Sequence, residues 1–216
     1  MTLIKIMQIL LIMINRKDIV KQPMANKVFE LCLKSLQNKS PLITSNVFAV
    51  IQQMYTLLFE LYSAEGEVNE VCCEHLGRLI SLVSEKKKHI KFKGLALDCI
   101  TMILSNSGKT LSSSTRIQSL FETSYVPSLS YYLANSKASF TLVVRVAKTA
   151  TQLMLVSECC YILLQPLLVL SNSQKTWQRY LALEAFGYLL KEPEQIQRLH
   201  KMLNRTTNMR VYPFLY

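Results

Sequence analysis

Three short stretches hold residue types that could do chemistry. "SGKT" at 107–110 has the small and basic residues of a phosphate-binding loop. "CCEH" at 72–75 puts two thiols and an imidazole, all metal-ligand types, within four residues. "EKKKHIKFK" at 85–93 gathers five lysines around Ile90 and Phe92.

The first two fail on spacing. A Walker loop needs a glycine five residues before Gly108, and that position is Ile103. It also needs a strand before and a helix after, whereas the order here is a helix and then a Ser-rich stretch. A zinc site needs about four converging ligands. The other histidines, His89 and His200, have no ligand-like spacing to Cys72, Cys73 and His75. The expected arrangement is a packed helix with a surface histidine. No catalytic constellation, metal set or cofactor box is legible, so no cofactor is expected and the chain is read as non-enzymatic.

The third stretch carries a real charge signal. Lys86, Lys87, Lys88, Lys91 and Lys93 could meet an anionic surface, each lysine near a membrane contributing on the order of 1 kcal/mol. The bland alternative is a solvated turn between helices, with Phe92 opening the apolar stripe of the next one. Exposed interleaved aromatics, which RNA binding would need, are missing from the stretch, so no nucleic acid is expected as a partner.

The elements that carry these stretches read as helices. Of 216 residues half are hydrophobic, while Gly (5) and Pro (6) are scarce, a composition that favours helix. Apolar spacings of three and four predict helices at 2–14, 23–37, 42–63, 67–84 and 90–105. A loop is predicted at 105–115 from "SNSGKTLSSST". Beyond it lie helices at 115–134 (broken near Pro127), 139–163 (bending or stopping around Pro166), 173–193 and about 193–205. Ser45 or Asn46 is a candidate cap for a helix starting at Val47, and Ser173 for "TWQRYLALEAFGYLL". The latter helix is apolar on more than one side, which predicts an inner position between neighbours, with Trp177 in a core or end-cap role. No strand pattern persists. Long two-faced helices in sequence predict an all-α, armadillo/HEAT-like α-solenoid of stacked helix pairs.

Composition limits the setting. Lys+Arg number 25 against 14 Asp+Glu, a formal net charge of +11, which favours acidic partners without choosing among them. The six cysteines, Cys32, Cys72, Cys73, Cys99, Cys159 and Cys160, sit in apolar helical stretches without C-x-x-C, the pattern of reduced, packed thiols. The apolar start at 3–14 lacks a charged n-region and a cleavage site, and is shorter than the roughly 20 residues of a membrane span. It is read as a buried helix, and whether Met1 and Tyr216 are natural ends is not legible in the sequence.

The order of segments resembles a known family. "KIMQILLIMINRKDIVKQPMANKVFELCLKSLQNKSPLITSNVFAVIQQMYTLLFEL" resembles the end of the N-terminal dimerisation region of the large Golgi Arf guanine-nucleotide exchange factors, most like their non-catalytic trafficking scaffold. "GLALDCITMILSNS", "VPSLSYYLANS" and "VVRVAKTATQLMLVSECCYILLQPLLVL" leading into "TWQRYLALEAFGYLLKEPEQIQRL" resemble the homology-upstream region that follows. The division falls as 1–66 and 67–216, the linker between being cut to a turn around 64–69. The Asn/Tyr/Asp-type box of the second region is not legible at 203–210, so none of its contacts is carried over. The resemblance implies a cytoplasmic scaffold peripheral to Golgi and endosome membranes. Its implied partners are an Arf-like small GTPase, self or other protein subunits, and an anionic membrane surface; the exchange domain itself is not in these residues. The rival reading is an unrelated HEAT-like adaptor for protein or nucleic acid.

Overall fold

A computed structural model describes residues 2–14, 22–38, 40–62, 70–135, 137–191 and 193–208. Among them every regular element is helical. The chain forms two compact units, residues 1–117 and 118–216. The expected division at 66 falls outside the described residues.

The first unit is built around one long helix. Its elements are α1 (Thr2–Ile14), α2 (Gln22–Ser35), α3 (Pro41–Tyr62), α4 (Glu70–Ser84) and α5 (Ile90–Ser113). Helix α3 packs on the other four. Its Val47, Ile51, Met54 and Leu58 recur at spacings of three and four and are fully buried. Each such side chain contributes about 1.5–3 kcal/mol of burial. Pro41 opens α3, where its missing N–H costs nothing. By length and composition the Pro41–Glu60 stretch could cross a membrane, yet its apolar face is the core of this unit.

Three local expectations change here. Ser45 and Asn46 do not cap a helix at Val47, because α3 already runs through them. Asn46 Nδ2 instead donates to the Leu42 carbonyl at 2.8 Å, spending its side chain inside the helix. Helix α1 forms, but it is not wholly buried: Met7 and Ile14 are, whereas Ile6, Ile9, Ile12 and Met13 are exposed. The predicted loop at 105–115 is helix as far as Ser113. Its hydroxyls return to the backbone, Ser105 Oγ to the Thr101 carbonyl (2.9 Å) and Ser113 Oγ to that of Thr110 (2.7 Å). Ile103, Leu104 and Leu111 are buried alongside. Apolar burial outweighs the weak helix preference of Ser and Gly.

The second unit takes in the end of α6 (Thr115–Leu120), then a π-helical turn (Phe121–Tyr125), α7 (Val126–Ala134) and α8 (Phe140–Val156). A 3-10 turn (Glu158–Leu163), α9 (Leu164–Ser171), α10 (Thr176–Leu189) and α11 (Pro193–Asn208) complete it. The break expected at Pro127 is a widened turn just upstream. Proline has no N–H for the carbonyl four residues back, and the π turn absorbs the mismatch while keeping Phe121 and Tyr125 buried. The predicted 139–163 helix stops at Val156, and Pro166 is harmless in the first turn of α9.

Helices pack on one another across the intervening element, α1 on α3 and α3 on α5 in the first unit, α7 on α9 and α8 on α10 in the second, while α2 with α3, α4 with α5, α7 with α8 and α9 with α10 pack as chain neighbours. That pattern is the stacking of an all-α solenoid, as the helix lengths predict.

Candidate functional site

The basic stretch is the turn between α4 and α5. Helix α4 ends at Ser84, and His89 is the N-cap of α5, with Nδ1 accepting from the Lys91 N–H at 3.2 Å. The turn is closed by the Lys88 N–H to Glu85 carbonyl bond (3.1 Å) and by Phe92 N–H to the His89 carbonyl (3.0 Å). One feature stiffens it further. The Lys93 side chain is buried, and its ammonium donates to the Lys86 carbonyl at 3.3 Å. Lys93 therefore holds the turn from inside. Lys88 is drawn to Glu85 (3.5 Å) and lies over the Phe92 ring at 5.7 Å. Lys86, Lys87 and Lys91 are exposed, with His89 and Ile90 between them. The structure thus sorts the five lysines: three face water, one is half-engaged, and one is a strut. Their spacing in sequence is too even to show that sorting.

The other two stretches are packed helix. "SGKT" lies within α5, with Gly108 buried, so its backbone N–H groups serve the helix and cannot cradle phosphate. In "CCEH" the histidine is not on the surface. His75 is fully buried among Phe29, Tyr55 and the α4 core, with Tyr55 Oη 3.4 Å from its Nδ1. Burial holds its imidazole below its ordinary pKa, the nearby Arg78 adding to the effect and Glu74 opposing it. Among the described residues no group of His, Cys, Asp and Glu could hold a metal. The thiols Cys32, Cys72, Cys73, Cys99 and Cys160 are buried and outside any disulfide. Burial pushes Cys32 and Cys72 up to about 12, so they are inert core groups, as their apolar neighbours imply.

Helix α10 departs from its expected inner position. It buries only Gln178, Ala182, Ala185 and Leu189. Tyr180 is 69% and Leu183 60% exposed, and Tyr188 and Leu190 are open too. Ser173 does not cap it in the ordinary way: Lys175 is the N-cap, and Ser173 Oγ accepts from the Lys175 N–H at 3.2 Å while donating to Gln178. Trp177 is half-buried, edge-on to Phe140 at 5.1 Å.

Stacked two-faced helices, with no strand among the described residues, define a class: all-α, solenoid-type helical modules. The particular family follows from comparison with known proteins. Residues 70–202 match the Sec7-like HUS family, described as the Mon2/Sec7/BIG1-like HUS domain. The chain belongs to that family, which is the group of Golgi Arf exchange factor relatives that the sequence resembles. No curated protein matches the chain.

Proposed function

We propose that the chain is a non-enzymatic scaffold or regulatory region in Golgi–endosome vesicle traffic. It binds proteins, an Arf-like small GTPase and its own or partner subunits among them, and rests on an anionic membrane surface. The observation that carries this reading is the HUS-family match over 70–202. Residues 1–66 are proposed as the end of a dimerisation-type region, with the non-catalytic trafficking scaffold as the nearest kind of relative. The membrane contact is assigned to Lys86, Lys87 and Lys91, which the Lys93 strut presents together. Lys88 contributes a weaker share because Glu85 offsets it.

Two assays on the full chain test this. Co-sedimentation with phosphatidylserine vesicles and pull-down by GTP-loaded Arf-like proteins should both succeed, while nucleotide exchange on those GTPases stays at the uncatalysed rate. The +11 charge supports one rival, a nucleic-acid adaptor. Tight RNA binding that weakens steeply with salt, without GTPase binding, would establish that rival instead.

A further inference from the structure

The α4–α5 turn holds one side chain whose structural role and whose charge exclude each other. His89 is the N-cap of α5, and its Nδ1 accepts from the Lys91 N–H at 3.2 Å. A ring nitrogen that accepts carries no proton, so the capping imidazole is the neutral form. The residue is exposed, at the middle of the lysine run. Among the described residues it makes no ion pair.

The charges around His89 are mostly of one sign. Before it come Glu85, Lys86, Lys87 and Lys88, and the one acid lies 3.5 Å from the Lys88 ammonium. After it come Lys91, exposed, and Lys93, turned inward onto the Lys86 carbonyl. The helices packed against α5 are α3 and α4, and their acids are engaged elsewhere or remote. Glu70 pairs with Arg116 at 3.1 Å and Glu74 with Arg78 at 2.8 Å. Glu60 lies a turn beyond Thr56, whose hydroxyl meets Met102 Sδ far along α5 from the turn. On α5 the nearest acid is Asp98, beside Cys99. In the unbound chain a proton at Nδ1 therefore ends the capping bond and adds a like charge to the lysines. An anionic surface reverses the second cost, because it attracts the new charge and screens its neighbours.

We propose that His89 makes the contact of this turn with an anionic bilayer proton-dependent. The neutral imidazole caps α5; the protonated one leaves the cap and joins Lys86, Lys87 and Lys91 against the headgroups. The coupling rests on the membrane contact proposed above and adds its regulation. A histidine gains its charge as pH falls through the physiological range, so binding tightens on acidification. By linkage, the surface raises the proton affinity of His89 by the same factor. One more cation near an anionic surface corresponds to about fivefold in binding.

The probe is a phosphatidylcholine vesicle containing phosphatidylglycerol, whose phosphodiester keeps its charge throughout the range. The full chain is co-sedimented with it at about pH 7.5 and about pH 5.5 in constant salt, with circular dichroism confirming the fold at both values. The unmodified chain should bind about fivefold tighter at the lower pH. His89→Asn keeps a capping side chain that no proton can charge, and should bind alike at the two values. His89→Arg carries the charge permanently, and should bind at the higher pH as the unmodified chain does at the lower. Retention of the pH response by His89→Asn overturns the proposal, since the titrating group is then His75, His200 or another. Equal binding of the unmodified chain at both values also overturns it, and the lysine contact then stands without a proton switch. Absence of binding at either pH removes the membrane contact itself, and the coupling with it, so the two readings fail in distinguishable ways.

Discussion

Tyr55 on α3 and His75 on α4 meet inside the first unit, hydroxyl to Nδ1 at 3.4 Å, their rings edge-to-face with centroids 5.7 Å apart. Phe29 of α2 stands edge-on to both. The imidazole Nε2 is buried with no hydrogen-bond partner among the described residues. The three helices thus converge on a histidine that is comfortable only when neutral.

The first prediction concerns pH. His75 is held below its ordinary pKa chiefly by burial, so the unfolded chain takes up the proton first. Stability is then complete above the unfolded pKa and falls as pH drops through and below about 6.5, by at most about 1.4 kcal/mol per pH unit for one group. Urea melts at pH 7.5 and 5.5 should show the loss. His75→Gln should flatten that part of the profile, and an equal slope in the variant would assign it to other groups.

The second concerns the basic turn. Lys93→Ala removes a buried strut and the ammonium that the Lys86 carbonyl accepts from. A loss of about 1–3 kcal/mol in denaturant melts is expected. Lys87→Ala, on the exposed side, should change stability by no more than about 0.5 kcal/mol. Vesicle co-sedimentation should respond to the exposed lysines without any change in stability. The triple change of Lys86, Lys87 and Lys91 to Ala should abolish it in low salt, with unfolding unaltered.

Gly187 supplies the third. Its surroundings are open, so Gly187→Ala should raise stability by about 0.5–1 kcal/mol through helix propensity alone. A decrease in midpoint on thermal melting would mean that the position is packed.

The fourth is chemical. Cys32 and Cys72, both pushed up to about 12 by burial, and Cys99, raised by burial and by Asp98 beside it, should stay unlabelled by iodoacetamide at pH 8 in the native chain. All three should label at once in guanidinium chloride, as mass-mapped peptides would report. Rapid native labelling of Cys99 would contradict its place in the core.

Much of the architecture was readable in the residues because helix formation is a local matter. The apolar spacing of α3, with Val47, Ile51, Met54 and Leu58 on one stripe, predicts both its span and its buried face. The reading failed where composition and tertiary packing disagree. "SNSGKTLSSST" has loop composition, yet Ile103, Leu104 and Leu111 tie it into the core and the hydroxyls bond back along the helix. The apolar residues of α10 and α1 predict burial on several sides, and the described neighbours cover one side only. The basic turn was legible as charge, but not as a graded set with Lys93 inside.

The amino-acid order alone determined that this chain is helical and that Cys32, Cys72, Cys73, Cys99 and Cys160 are packed. Each of these depends on residue type and on spacings within a few turns. Which faces remain open was decided only by the assembled helices. Exposure is a property of what lies across from a side chain, and for Tyr180, Leu183 and His75 those neighbours come from elsewhere in the chain or are missing among the described residues. The same hydrophobic stripe is core where another helix covers it and open where none does.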